Sequence, residues 1–123
     1  MCLRHEIGRI GENLATKYLK EQGYKIIERN FMANQGEIDI IAKDKNEIVF
    51  IEVKTRTNNL YGKPIDSVNK PKQKHFTNTV EYYIYSKHLE NEYVRLDVIE
   101  VYIKSNKYKI NHIKQIIWYN NLY

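Results

Sequence analysis

The 123-residue chain predicts an α/β protein, a mixed β-sheet flanked by helices in the order α-β-β-β-α-β-β. Three observations point there. Apolar residues recur at helical spacing over residues 5–22 and again over 70–87, and five apolar runs of strand length surround them. Polar turn clusters punctuate those runs at Asn34-Gln35-Gly36, Asp44-Lys45-Asn46 and Ser105-Asn106. The second helix falls between the third and fourth strands, a connection long enough to cross over into a parallel neighbour.

In the first helix, Ile7, Ile10, Leu14 and Tyr18 recur at three- and four-residue steps, and Gly23 is placed to stop it. Gly8 and Gly11 each cost roughly 1 kcal/mol against alanine inside a helix. A helix backbone lying close to the sheet would explain both. Residues 25–31 read as the first strand, and 37–43 with 47–55 as a hairpin. The stretch 56–68, with Gly62 and Pro64, reads as an irregular loop. Asn69 suits the N-cap of the second helix and Pro71 its first turn; Phe76, Val80, Tyr83 and Ile84 supply its apolar face. Residues 93–103 and 107–117 close the chain as strands.

One domain of this length buries roughly two thirds of its unfolded surface without disulfide help. Lys and Arg number 20 against 15 Asp and Glu, so the formal charge is +5, which suits a polyanionic partner as well as an ordinary lysine-rich surface. The single cysteine, Cys2, has no intramolecular partner for a disulfide. No apolar run approaches the ~18 residues of a membrane span, and the start has no apolar stretch like that of a signal peptide. A cytoplasmic protein with no membrane partner is the expectation.

The charged pattern in GEIDIIAKDKNEIVFIEVKTR, residues 36–56, is what an ordinary hairpin does not need. A hairpin loop of two or four residues centred between Lys45 and Asn46 sets Asp39 opposite Glu52, Ile40 opposite Ile51 and Ile38 opposite Val53. One face then holds Ile38, Ile40, Ala42, Val49, Ile51 and Val53 with no polar residue. The other gathers Glu37, Asp39, Glu52 and Lys54 at one end, beside Ile41, Phe50 and Ile48. A one-residue slip mixes charged and apolar groups on both faces, so the hydrophobic pattern selects the register that joins the acids. Facing carboxylates repel. A hard divalent cation such as Mg²⁺ or Mn²⁺ turns that repulsion into binding. Lys54, two residues from Glu52 on the same side, is placed to hold a water or to stabilise phosphate charge; a solvated Lys54–Glu52 pair is the plainer reading.

These residues resemble the PD-(D/E)xK nuclease superfamily, with Asp39 as its first acid and Glu52-Val53-Lys54 as its second half. More closely, the chain resembles the bacterial YraN family through GRIGE at 8–12, the Asn30-Phe31 pair, GEIDII at 36–41, VFIEVKTR at 49–56 and RLDVIEV at 95–101. The likeness covers residues 5–119. It implies a restriction-endonuclease-like sheet, a divalent metal held by Asp39 and Glu52, and hydrolysis of a nucleic-acid backbone. Ile38 stands where the superfamily's proline would. The family is also similar to archaeal Holliday-junction resolvases, in which a glutamate of the N-terminal helix joins the site; Glu12 matches it, and a resolvase-like role favours a two-fold homodimer.

Glu12 borders the apolar stripe of its helix, able either to reach the sheet end or to pair with a surface lysine. Gln73 heads the buried face of the second helix beside Thr77, Val80 and Ile84; related nucleases often place a glutamine near the metal, and an amide tied to a sheet-end carbonyl is the plainer reading. Arg56, Lys63, Lys70, Lys72 and Lys74 form a candidate phosphate-contacting rim, though lysines at a helix start are commonplace. Of eleven tyrosines, Tyr82, Tyr83 and Tyr85 cluster, either to stack on bases or to cover the core edge. His5, His75, His88 and His112 lack metal-ligand spacing. Asp97 needs a partner if buried, and Arg95, two positions away, is expected to supply it.

The expectation is a divalent-metal-dependent endonuclease acting on nucleic acid, DNA before RNA, with branched DNA as one candidate substrate. Asp39 and Glu52, with the Val53 carbonyl, would hold the metal; Lys54 would orient or activate water; Glu12 and Gln73 would be secondary. The rival is a non-catalytic nucleic-acid-binding module on the same scaffold.

Overall fold

The computed structural model describes residues 3–57 and 70–116. Helix α1 runs over Leu3–Glu21, and strands β1 (Lys25–Ala33), β2 (Gly36–Asp44) and β3 (Glu47–Arg56) follow it. Helix α2 spans Lys70–Ser86, before β4 (Tyr93–Lys104) and β5 (Lys107–Ile113). The Asn69 cap and most of the 56–68 loop lie outside the described residues. The five strands lie in the order β1-β2-β3-β4-β5. β3 and β4 run parallel, as the intervening helix requires, and the other three pairs are antiparallel. The predicted α/β architecture is the observed one.

Both helices stop by the same device. Gly23 takes a φ of 94°, its N–H bonds Lys20 O at 3.0 Å, and Tyr24 N–H returns to Leu19 O at 2.9 Å. His88 does this for α2 at a φ of 58°, with Leu89 N–H on Ile84 O at 2.9 Å. A left-handed residue after the last turn lets two orphan carbonyls find donors. Glycine does so at little cost.

Alternation along the central strands builds two cores. Ile48, Phe50 and Val98 face α2, where they pack with Phe76, Val80 and Tyr83. Val49, Ile51, Ile99 and Val101 face α1, where Ala15 and Leu19 meet them. Of the tyrosine cluster, only Tyr83 enters the core, edge-on to Phe31 and Phe50; Tyr82 and Tyr85 are exposed.

The alternation breaks twice in β1: at a bulge between Ile26 and Glu28, and again beside the acids. Arg29 reaches α1 to bond Glu12, whereas Phe31, two residues on, packs against Tyr83 of α2. Residues two apart in a strand normally share a face. Asn30, between them, holds a left-handed φ of 56° and turns the strand over. β2 follows: Ile40 lies in the α1 core, but Ile38 lies in the α2 core. The continuous apolar face expected from Ile38 through Ala42 therefore stops at Ile40. Asn tolerates this conformation better than most residues.

The fifth strand also ends at Ile113, short of the expected residue 117. Gln115 adopts a φ of 61°, which turns its N–H onto Asp97 Oδ1 at 3.1 Å. Asp97 is fully buried and meets the expected partner: Arg95 donates to both carboxylate oxygens at 3.0 Å. His112 Nε2 adds a bond at 2.7 Å, and Arg95 also reaches Asp44, Glu47 and Tyr24. Burial alone would raise the Asp97 carboxyl; the bonds from His112, Arg95 and Gln115 outweigh it and hold the carboxyl below its ordinary value.

One of the two helix glycines has a packing reason. A methyl group on Gly11 would collide with Thr55 Oγ1 and come within 2.9 Å of its Cβ and Cγ2. A methyl on Gly8 would meet nothing within 4 Å, so close packing does not explain that position. In urea denaturation, Gly8→Ala is expected to stabilise the protein by up to about 1 kcal/mol. Gly11→Ala is expected to destabilise it by roughly 1–3 kcal/mol; equal effects would contradict this close approach of α1 to β3.

Candidate metal site

The β2–β3 ladder follows the register the hydrophobic pattern selected, from Asp44↔Glu47 to Ile40↔Ile51. Its next rung would set Asp39 against Glu52. The pairing stops there, and Val53 N–H donates to Asp39 Oδ2 at 2.8 Å. Asp39 therefore points along the hydrogen-bonding direction of the sheet, into the seam where β2 and β3 part. N–H and C=O of one strand residue face the same neighbour, so the Val53 carbonyl opens onto this seam as well.

Glu52 and Lys54 share the α2 side with Phe50, in phase along β3. Lys54 Nζ lies 3.2 Å from Glu52 Oε2, and both side chains are mostly enclosed. Lys54 also lines an open cleft of ≈ 1000 Å³ with Glu12, Asn30, Glu37, Asp39 and Thr55; Glu52 is not part of that lining. The two acids thus approach by different routes, Asp39 from the seam and Glu52 from one face. Among the described residues, no three His, Cys, Asp or Glu side chains gather closely enough to cage a metal. Two carboxylates and a carbonyl fit Mg²⁺, which binds few protein oxygens and keeps several waters.

Glu12 faces this cleft, held there by β1. Its Oε1 accepts from Arg29 Nη2 at 2.7 Å, Arg29 Nε at 3.2 Å and Asn30 Nδ2 at 3.0 Å. The sequence pointed to Glu12 but not to these two anchors. A polar Arg-Asn pair inside an apolar strand was the available signal. Gln73 is half-buried at the head of α2, with Thr77 buried one turn further on.

The proposed rim divides. Lys74 is exposed, Lys70 and Lys72 stand in the first turn of α2, and Lys63 lies outside the described residues. Arg56 ends β3 with Nε and Nη2 buried and lacking a hydrogen-bond partner.

Electrostatics single out one acid. Burial first, then the charge of Glu52, push the Asp39 carboxyl up to about 8. The Val53 N–H pulls the other way, and Glu12 and Glu37 add to the rise. Without a cation, ionised Asp39 is a half-buried charge among acids.

A model of the uncharacterised protein family UPF0102 matches residues 11–101. The chain belongs to UPF0102. A UPF0102 protein of Clostridium botulinum strain 657 is 50% identical over 112 residues, covering 89% of this chain and 91% of its own length. Another, from Clostridium perfringens, is 49% identical over 110 residues, with coverages of 88% and 90%. Neither UPF0102 relative has a name that states an activity. The crystal structure of SSO0001 aligns with TM-score 0.41 and 18% identity over 94% of this chain and 54% of that one. The UPF0102 match spans Glu12, Asp39, Glu52, Lys54 and Gln73, and among the described residues no helix is long and apolar enough to cross a membrane.

Asp39 sets a pH dependence. Its folded-state value is raised, so the folded protein keeps a proton that the unfolded chain releases near 3.8, and stability falls as pH rises from there to about 8. In EDTA, Asp39→Asn is expected to melt higher than the parent, by a margin that widens up to about pH 8. A margin constant with pH would show that Asp39 is ionised throughout.

Proposed function

We propose that the protein is a divalent-metal-dependent endonuclease of the PD-(D/E)xK superfamily, hydrolysing nucleic-acid phosphodiester bonds, with branched DNA as the substrate that the resolvase likeness favours. The supporting observation is Asp39. It is a carboxylate aimed into a strand seam, beside Glu52 and the Val53 carbonyl, and its ionised form is disfavoured until positive charge arrives. Such a group weakens the fold in metal-free solution, which an ordinary surface acid does not.

A Mg²⁺ or Mn²⁺ ion bound by Asp39, Glu52 and the Val53 carbonyl would supply Lewis-acid stabilisation of phosphate oxygens. The protein's own groups supply the rest. Lys54 places a cation at the cleft wall, where it orients the attacking water and offsets charge that grows on the phosphate. Glu12, pinned by Arg29 and Asn30, can accept a hydrogen bond from water on the far side of the cleft. Lys74 and the formal charge of +5 favour approach of a polyanion.

The second reading, a nucleic-acid-binding module without catalysis, draws on the absence of a three-side-chain metal cluster among the described residues. Incubation with labelled four-way junctions, flaps, single strands and duplexes, in Mg²⁺, Mn²⁺ or EDTA, separates the two. Metal-dependent products are expected, with Asp39→Ala and Lys54→Ala losing more than about 100-fold in rate while remaining folded. Salt-sensitive binding with no products in any metal would favour the module. Both variants cutting at the parental rate would remove these residues from the chemistry.

A further inference from the structure

A fully buried acid stands beside Lys54, and its environment is incomplete. Glu100 is fully buried in β4. Its Oε1 accepts from Asn111 Nδ2 at 2.7 Å, and its Oε2 has no hydrogen-bond partner. A buried carboxylate oxygen without a donor is costly, and native structures rarely keep one without a reason. Asp97, three residues earlier in β4, shows the usual arrangement, with donors on both oxygens.

The sheet register sets Glu100 directly beside Lys54. Both project to the α2 side: Lys54 is in phase with Ile48 and Phe50, and Glu100 with Val98. Neighbouring strands are about 4.8 Å apart, well within the sweep of a lysine side chain. Lys54 thus has one carboxylate two residues along its own strand and another on the adjacent strand. Its ammonium sits on the first, Glu52, at 3.2 Å. Glu52 is also the residue that the proposed metal site needs, and an ammonium on its carboxylate competes with a cation.

We infer that Glu100 is a positioning residue that receives the Lys54 ammonium when Glu52 turns to a bound cation. This rests on the metal-site reading above. The exchange leaves the number of ion pairs unchanged: Lys54 leaves Glu52 Oε2 and gains Glu100 Oε2, so the partnerless oxygen is satisfied in the loaded state. Glu100 then anchors the Lys54 ammonium while Glu52 is occupied. No covalent step is involved.

Mn²⁺ titration calorimetry on the full chain tests this without relying on turnover. Glu100→Gln keeps the shape and the Asn111 contact but removes the acceptor charge, and it is expected to weaken Mn²⁺ binding at least about tenfold. In a Lys54→Met background, where no ammonium needs relocating, the same substitution is expected to change affinity less than about twofold. Glu100→Met repeats the cycle with an apolar side chain if the glutamine variant folds poorly. Equal Mn²⁺ affinity for the parent and the Glu100 variants overturns the inference alone, as does an equal loss in both backgrounds, which would mean a through-space charge effect. A parent that binds no Mn²⁺ overturns the metal-site reading and this inference together.

Discussion

A single hydrogen bond, from Val53 N–H to Asp39 Oδ2, governs the candidate site. It gives a side chain the donor that a neighbouring strand backbone would otherwise use. The ladder therefore ends at Ile40↔Ile51, β2 and β3 separate, and the Val53 carbonyl is left facing the gap. The turn at Asn30 belongs to the same disruption, since the strand pairing skips the Asn30–Asp39 rung while holding those on either side. The bulge between Ile26 and Glu28 sets Arg29 opposite Ile40 on the α1 side, where it fixes Glu12. Local irregularity in two strands thus brings together groups from α1, β1, β2 and β3.

Comparison of the two aspartates separates scaffold from candidate site. Asp97 is fully buried yet held below its ordinary value, because Arg95, His112 and the Gln115 N–H surround it. Its partner Arg95 ties β4 to Asp44 and Glu47 at the β2–β3 turn, and Asp97 itself accepts from Gln115 N–H near the end of the described chain. Asp39 has the opposite shift, with one backbone donor against Glu52, Glu12 and Glu37. Burial alone cannot explain the contrast, since it acts upward on both. The difference lies in the charge around each carboxylate: saturated with donors at Asp97, left short of positive charge at Asp39. A group left in that state is what a site for an external cation requires.

Much of this was legible in the chain. The hairpin register followed from keeping a buried face apolar, because a one-residue slip reverses every side chain. The parallel β3–β4 pair followed from the helix between them, and the Arg95–Asp97 pair from two charges on one face of an apolar strand. What escaped depended on single backbone conformations. Ile38 crosses to the α2 core because Asn30 is left-handed, and β5 ends early because Gln115 is; hydrophobic periodicity carries neither signal. Gly8 and Gly11 look alike in sequence and differ only by whether Thr55 lies beneath them. The role of Arg29 and Asn30 is hidden for a related reason: the bulge between Ile26 and Glu28 sets Arg29 on the α1 side, and hydrophobic periodicity does not carry it.

The most direct examination of the seam is a crystal of the protein soaked in Mn²⁺ and measured at the manganese edge. An anomalous peak is expected between β2 and β3, about 2.1 Å from carboxylate oxygens of both Asp39 and Glu52. A soaked crystal with no peak in the seam, or with Asp39 still on the Val53 N–H and manganese bound only elsewhere, would contradict the assignment of this strand separation as a cation site.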